Sequence, residues 1–367
     1  MQYRKFGNTD LTASVLGFGM MRLKKKSDGT IDEDWSVKTL RYAIDQGLNY
    51  VDTAYTYGDS ERVTGLCLQD GYREKVILAS KQPVSQTTCP EDFSRFLNIQ
   101  LERLQTDHID VYLLHALNRN TWKNNVLKYD LLKEAEKAKA EGKFRYLGFS
   151  FHDSLDTFKE ILYGYDKWDF CQIQLNYMDT NYQAGLEGLR LAHERGLAVV
   201  VMEPLRGGAL ANLPQDIAET LPGKPVESAL KYLWNIGEIN VVLSGMSELE
   251  QVEQNLQYAD EAHVDMLTPS EKKLIESAGD LVRATETIPC TGCNYCDVCP
   301  QQIAISEIFK IHNKRQFDGN YLGAKESYRA LGKRNAENCI HCGLCAEKCP
   351  QQIPVFEKLE KIHKRFI

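Results

Sequence analysis

Eight of the eleven cysteines fall in two short runs, Cys290-x2-Cys293-x2-Cys296-x2-Cys299-Pro300 and Cys339-x2-Cys342-x2-Cys345-x3-Cys349-Pro350. Each run is followed by Gln-Gln-Ile, so the pair is an internal repeat with a period of about fifty residues. The opening Met1-Gln2-Tyr3-Arg4-Lys5-Phe6 lacks the apolar core of an export signal. A reducing compartment is therefore expected, and disulfides do not suit it. Zinc takes four thiolates per site, usually from two separated Cys-x2-Cys pairs rather than from one run of four. A [4Fe–4S] cubane takes three closely spaced thiolates and a fourth from elsewhere, with proline after that fourth cysteine. The spacing predicts two [4Fe–4S] clusters.

In two-cluster ferredoxins the last cysteine of each run serves the other cluster. On that pattern Cys290, Cys293, Cys296 and Cys349 hold one cluster, and Cys339, Cys342, Cys345 and Cys299 hold the other. The first run departs from the usual spacing, with two residues rather than three before Cys299. Between the runs, Pro300–Asn338 carries helical patterns at Ser306–Asn313 and Leu322–Leu331, which resembles the α-helical ferredoxin type. Residues 281–367 hold thirteen basic against nine acidic side chains, although the whole chain is at −7. Four thiolates around an oxidised core leave each cluster at about −2, which roughly cancels that excess. The remaining cysteines, Cys67, Cys89 and Cys171, are expected to be buried apolar thiols.

The overall negative charge argues against a nucleic-acid partner, which wants a basic field. No apolar run approaches the roughly 20 residues that span a bilayer, so no membrane partner and a cytoplasmic location are expected. Up to residue 280 the chain alternates short apolar runs with amphipathic stretches. The expected strands are Ser14–Phe18, Tyr50–Asp52, Val76–Ser80, Ile109–Leu113, Tyr146–Ser150, Phe170–Gln174, Ala198–Met202 and Val241–Leu243. Helical patterns such as Trp35–Gln46, Asp92–Leu104 and Leu249–Tyr258 separate them. Such alternation suggests an α/β fold, a (β/α)8 TIM barrel, with a doubly wound sheet as the alternative. Gly17-Phe18-Gly19-Met20-Met21 after the first strand is not the dinucleotide fingerprint, which favours the barrel. The expected division is a barrel over 1–280 and a small, mostly α-helical ferredoxin-like domain over 281–367.

A barrel carries its active site at the C-terminal ends of its strands. There stand Asp52, with Tyr55 and Tyr57 just beyond it, then Lys81 and then His115. Each alone has a plain structural explanation; four such residues at adjacent strand ends are harder to dismiss. With Gly47-Leu48-Asn49-Tyr50-Val51-Asp52-Thr53-Ala54 and Leu113-Leu114-His115, the chain resembles the aldo-keto reductase family. The tail resembles the iron–sulfur extension of one branch of it. The resemblance implies that Tyr57 is the general acid–base, Lys81 the cation that lowers its pKa, Asp52 the partner of Lys81, and His115 the residue that orients the carbonyl. The chemistry is coherent, because a phenol near pKa 10 donates poorly at neutral pH unless a neighbouring ammonium tunes it.

Val241-Val242-Leu243-Ser244-Gly245-Met246-Ser247 ends the last strand and opens a helix whose N-terminus suits a nucleotide phosphate. A Gly-Ser turn capping a helix explains the same residues. The resemblance implies NADP(H) or NAD(H), held by Gly19, Met20, Asp52, Ser150, Gln172, Met202, Leu205, Gly207, Ser244, Gly245, Met246, Gln251, Gln254 and Asn255. NADPH-specific relatives often place Lys and Arg at the last barrel helix, where this chain has Gly245 and Gln251. Met202 stands where tyrosine often stacks on the nicotinamide, and Phe151 stands where asparagine often follows the serine. The expected activity is interconversion of a small carbonyl compound and its alcohol. An electron-transfer partner remains open, as do structural or electron-carrying roles for the clusters. The competing reading is an electron-transfer protein whose barrel is a scaffold.

Overall fold

The computed structural model describes residues 1–285 and 287–367. They form two compact units. One comprises Met1–Leu175, Asp179–Pro204 and Leu230–Leu267; the other comprises Asn176–Met178, Leu205–Ala229 and Thr268–Ile367.

In the first unit a two-stranded hairpin, β1 (Tyr3–Lys5) and β2 (Thr12–Ser14), precedes eight parallel strands that close into a barrel among the described residues. These are β3 (Leu16–Gly19), β4 (Tyr50–Asp52), β5 (Ile77–Gln82), β6 (Ile109–Leu117), β7 (Phe144–Phe151), β8 (Phe170–Gln174), β9 (Ala198–Met202) and β10 (Val241–Ser244). β10 pairs with β3, which closes the ring. All eight expected strands are present. The first begins later than the pattern suggests, because Ser14 belongs to the hairpin.

Alternate strand residues share a face, and this decides what points inward. Tyr50, Ile77, Ala79, Val111, Leu113, Phe170, Ala198, Val200, Val241 and Leu243 form one buried cluster that fills the barrel. Phe6 of the hairpin turn joins it, its ring 5.8 Å from Tyr50 and 5.5 Å from Phe170. Continuing the same alternation by one step carries Tyr50 to Asp52, Ala79 to Lys81, Leu113 to His115 and Phe170 to Gln172. The apolar filling therefore ends in a layer of polar side chains at the C-terminal ends of the strands.

In the second unit the helix Pro269–Ala284 opens on a capping box between Thr268 and Glu271. The expected boundary between residues 280 and 281 falls inside this helix. Beyond it, helices Ile305–Asp318, Tyr321–Ala330 and Val355–Phe366 bury Ile308, Phe309, Tyr328, Leu359 and Phe366 in a core of their own. The sequence repeat is visible in the backbone. Gln302 and Gln352 both take left-handed φ, at +53° and +48°, and their N–H groups donate to the carbonyls of Cys299 and Cys349.

Cys67 and Cys171 are fully buried as expected. Cys89 is only partly buried, because it lies in the turn that leads into the helix Asp92–Leu104.

Candidate functional site

Lys81 is buried at the end of β5, and its ammonium donates to Asp52 Oδ1 at 2.6 Å and to the Thr53 carbonyl at 2.7 Å. The same Nζ lies 4.8 Å from the centroid of the Tyr57 ring. Tyr57 is half-buried and meets His115 edge-on, with ring centroids 5.8 Å apart. Thr56 Oγ1 lies 3.3 Å from His115 Nδ1. Thus the structure brings Asp52, Tyr57, Lys81 and His115 together. Tyr55 is drawn elsewhere: its ring packs on Phe96 at 5.0 Å and under the Arg103 guanidinium at 4.5 Å.

Burial dominates the electrostatics here. It raises the Asp52 carboxyl and lowers the Lys81 ammonium, and their ion pair opposes both shifts. Burial, with the Lys81 charge and His152 adding to it, pushes His115 well below its ordinary value, so the imidazole stays neutral. His115 sits at an irregularity in β6, where the register to β7 shifts between Leu114 and Leu117 and Ala116 takes φ +52°. That kink sends the Ala116 N–H to Ser150 Oγ at 2.7 Å, which leaves the Ser150 hydroxyl proton to donate.

Ser150 and Gln172 are register partners on β7 and β8, side by side in the polar layer. Gln172 Oε1 is buried and makes no hydrogen bond among the described residues. An amide oxygen stranded in this way costs free energy until a donor reaches it, which fits a carboxamide such as that of nicotinamide. Across the ring, Asn255 Nδ2 donates to Ser244 Oγ at 3.1 Å, and Arg22 lies against Gly245. Gln251 is exposed and folds back on the start of its own helix: its Oε1 accepts from the N–H groups of Ser247 and Glu248 and completes a helix cap. Gln254 donates to Glu250 at 2.9 Å. Gly19 and Met20 follow β3, and Gly19 is in register with Asp52. Met202 ends β9, and Met246 is buried just after β10. Leu205 and Gly207 belong to the second unit.

In that second unit the cysteines converge in two recesses. One is lined by Cys290, Cys293, Cys296 and Cys349; the other by Cys299, Cys339, Cys342 and Cys345. Each recess therefore draws three cysteines from one run and the last from the other. Among the described residues no three His, Cys, Asp or Glu side chains converge tightly enough for a single metal ion. Three thiolates from one run and a fourth from the other are the donor set that a [4Fe–4S] cubane takes, so the residues present fit a cluster.

The aldo/keto reductase family profile matches residues 15–278, and a 4Fe-4S dicluster domain matches 289–353. The chain belongs to the aldo/keto reductase family. It is an oxidoreductase of that type, with an iron–sulfur domain at its C-terminal end. It is 28% identical over 317 residues to the uncharacterized oxidoreductase YqkF of Bacillus subtilis, covering 76% of this chain and 96% of that one. It is 32% identical to the aldo-keto reductase YhdN of Bacillus subtilis, over 44% of this chain and 51% of that protein. The holo form of aldo-keto reductase AKR11C1 from Bacillus halodurans superposes with a TM-score of 0.64 at 28% identity, covering 76% of this chain and 96% of that one. No helix among the described residues is long and apolar enough to cross a membrane.

Two residues of the polar network escape a reading of the strand ends alone. His152 follows β7 and is influenced by Gln183 and burial. Glu61 is fully buried beneath β5. Its signal is positional: a carboxylate four residues after Tyr57, on the buried face of the helix Ser60–Cys67 with Thr64.

Proposed function

We propose that the barrel, residues 1–280, interconverts a small aldehyde or ketone and its alcohol by hydride exchange with NAD(H) or NADP(H). The observation that carries this reading is the Lys81 ammonium, held by Asp52 and facing the Tyr57 ring, with neutral His115 at that ring's edge. A bound reduced nicotinamide supplies the hydride. Tyr57 gives its phenolic proton to the oxygen that becomes the alcohol, and recovers it in the reverse direction. Lys81 stabilises the phenolate left behind, and Asp52 holds that ammonium in place. His115, neutral through burial, offers a ring N–H to the carbonyl oxygen as negative charge develops there. Ser150, Gln172 and Asn255 hold the nucleotide, with Gln172 Oε1 accepting from the carboxamide. The Glu248 carboxylate stands at the helix start, so NADH is the preferred form. Steady-state NADH oxidation with a panel of small carbonyl compounds tests the reading, and Tyr57→Phe should abolish turnover while cofactor binding survives.

The tail, residues 281–367, holds two [4Fe–4S] clusters on the two cysteine sets that line the recesses. A second role is favoured by one observation. Cys342 is exposed and is flanked by Ile340 at 59% and Leu344 at 40% exposure, which suits one-electron exchange with a partner protein at that cluster. We place the protein in the cytoplasm, where thiolate ligands stay reduced. Anaerobic EPR with and without NADH distinguishes an electron-carrying from a structural role.

A further inference from the structure

Behind Lys81, on the outer face of β5, lies a buried polar network. Glu61 is fully buried, and its Oε1 accepts from Ser80 Oγ at 2.6 Å and from Gln100 Nε2 at 2.5 Å. Gln100 Nε2 also donates to the Lys81 carbonyl at 3.1 Å and lies 2.9 Å from Ser80 Oγ. Tyr112 OH lies 2.5 Å from Gln100 Oε1 and 2.8 Å from Gln82 Oε1, which locks the amide of Gln100 in that orientation. Arg103 reaches Glu61 Oε2 at 3.3 Å from the half-exposed end of its helix.

A buried carboxylate is costly even when, like Glu61, it is hydrogen-bonded and paired. A sheet and two helices packed by apolar side chains would need neither Glu61 nor Gln100. We propose that Glu61 is a positioning residue for the reductase reaction: it fixes the Ser80–Lys81 backbone and places a second negative charge behind the Lys81 ammonium. The inference rests on the proposed roles of Lys81 and Tyr57.

Two effects follow. Gln100, oriented by Glu61 and Tyr112, grips the carbonyl of Lys81, so the lysine stem leaves the strand at a set angle toward Tyr57. The carboxylate also keeps Lys81 charged although burial lowers its pKa; Asp52 is the larger support and Glu61 a lesser one. The charged and titratable groups around Lys81 are Asp52 on β4, Tyr57 after it, His115 on β6 and Glu61 on its helix. Tyr50 faces Asp52, and His152 faces His115. Around Glu61 are Arg103, Tyr112 and Lys81.

The test uses the full-length, cluster-loaded protein. Glu61→Gln keeps the shape and can still hydrogen-bond Ser80 and Gln100, but it removes the charge. With that charge gone, the ammonium and the phenol both lose protons more readily. The alkaline limb of carbonyl reduction should then move down by about one pH unit. The tyrosinate absorbance that Tyr57→Phe removes should appear at correspondingly lower pH, with no substrate present. Ser80→Ala breaks a hydrogen bond and keeps the charge, so it should lower the melting temperature and leave the limb in place. Arg103→Met removes the guanidinium that reaches Glu61 from a half-exposed position and should move the limb upward. A limb and a tyrosinate titration unmoved in both Glu61→Gln and Arg103→Met would overturn the inference. A Tyr57→Phe protein that still turns over would instead sink the reductase roles, and the tyrosinate titration would still decide whether Glu61 acts on Tyr57.

Discussion

Gly207 sits against Thr291 so closely that a methyl group on it would lie 2.3 Å from the Thr291 carbonyl oxygen. Gly207 also takes φ +66°, where a side chain is strained. Thr291 is buried between Cys290 and Cys293, so the loop after β9 packs directly on a cysteine-bearing loop of the same unit. Gly208 is a built-in control, since its φ is +93° but nothing lies within 4 Å of its added methyl. Gly208→Ala should lose only the conformational term, about 1–2 kcal/mol. Gly207→Ala should lose that and displace Thr291, so its iron–sulfur absorbance should decay several-fold faster in air. Equal decay in the two variants would mean that the contact does not support the cluster loop.

The polar layer of the barrel was legible because a strand's alternation is strict. Once Tyr50, Ala79 and Leu113 are read as filling, Asp52, Lys81 and His115 follow on the same face. The two runs of four cysteines are legible from their spacing, whereas the exchange of the last cysteine between runs comes only from the two-cluster ferredoxin pattern. What stayed hidden depends on contacts between distant segments. The hairpin with Phe6 plugs the barrel from residues that look like a polar leader. The choice between Tyr55 and Tyr57 is made by Phe96 and Arg103, about forty residues away. The division into units escaped because Asn176–Met178 and Leu205–Ala229 join the tail through packing, as when Arg283 donates to the Met178 carbonyl.

Acid should destabilise the protein through its histidines. Burial pushes His152 down to about 4, opposed by its hydrogen bond to Gln183, and pushes His115 well below 6.5. Both bind protons more weakly in the folded than in the unfolded chain. Their contribution is therefore complete above the unfolded value of 6.5 and is lost as pH falls toward about 4. Asp52 and Glu61 are shifted upward and act with the opposite sign, so the effect is best read as a difference. The melting temperature of His152→Asn should fall less steeply than that of the parent between pH 6.5 and 4. Parallel curves would contradict the assignment.

Nucleotide preference should turn on Glu248. Its carboxylate accepts from Lys24 at 2.8 Å at the start of the helix Leu249–Asp260, while Gln251 is occupied by the helix cap. A 2′-phosphate arriving there meets a carboxylate, and of the two cations beside it Lys24 pairs with Glu248 and Arg22 with Glu203. Glu248→Ala removes the repulsion and releases Lys24. The ratio of kcat/KM for NADPH to that for NADH should rise about twofold to fivefold, the scale of a solvent-exposed charge. An unchanged ratio would place the 2′-hydroxyl elsewhere.

The crossed cysteine sets make a prediction that a pair of uncrossed sites does not. The parent, purified without oxygen, should hold about eight iron atoms per chain, four for each cubane. Cys349 lines the recess of Cys290, Cys293 and Cys296, although it belongs to the second run in sequence. Cys349→Ser should therefore disturb the cluster held by the first run and leave the other intact. Cys299→Ser should do the reverse, because Cys299 lines the recess of Cys339, Cys342 and Cys345. Serine oxygen is a harder ligand than thiolate, so the affected cluster should be lost or lowered in potential. EPR of the two reduced variants should therefore show complementary single-cluster spectra. Combining Cys349→Ser with Cys293→Ser separates the alternatives, since crossed ligation confines both changes to one cluster and about four irons remain. Uncrossed ligation would put one change in each cluster and damage both. Tightly bound zinc in fresh anaerobic protein, with no iron, would remove the clusters altogether.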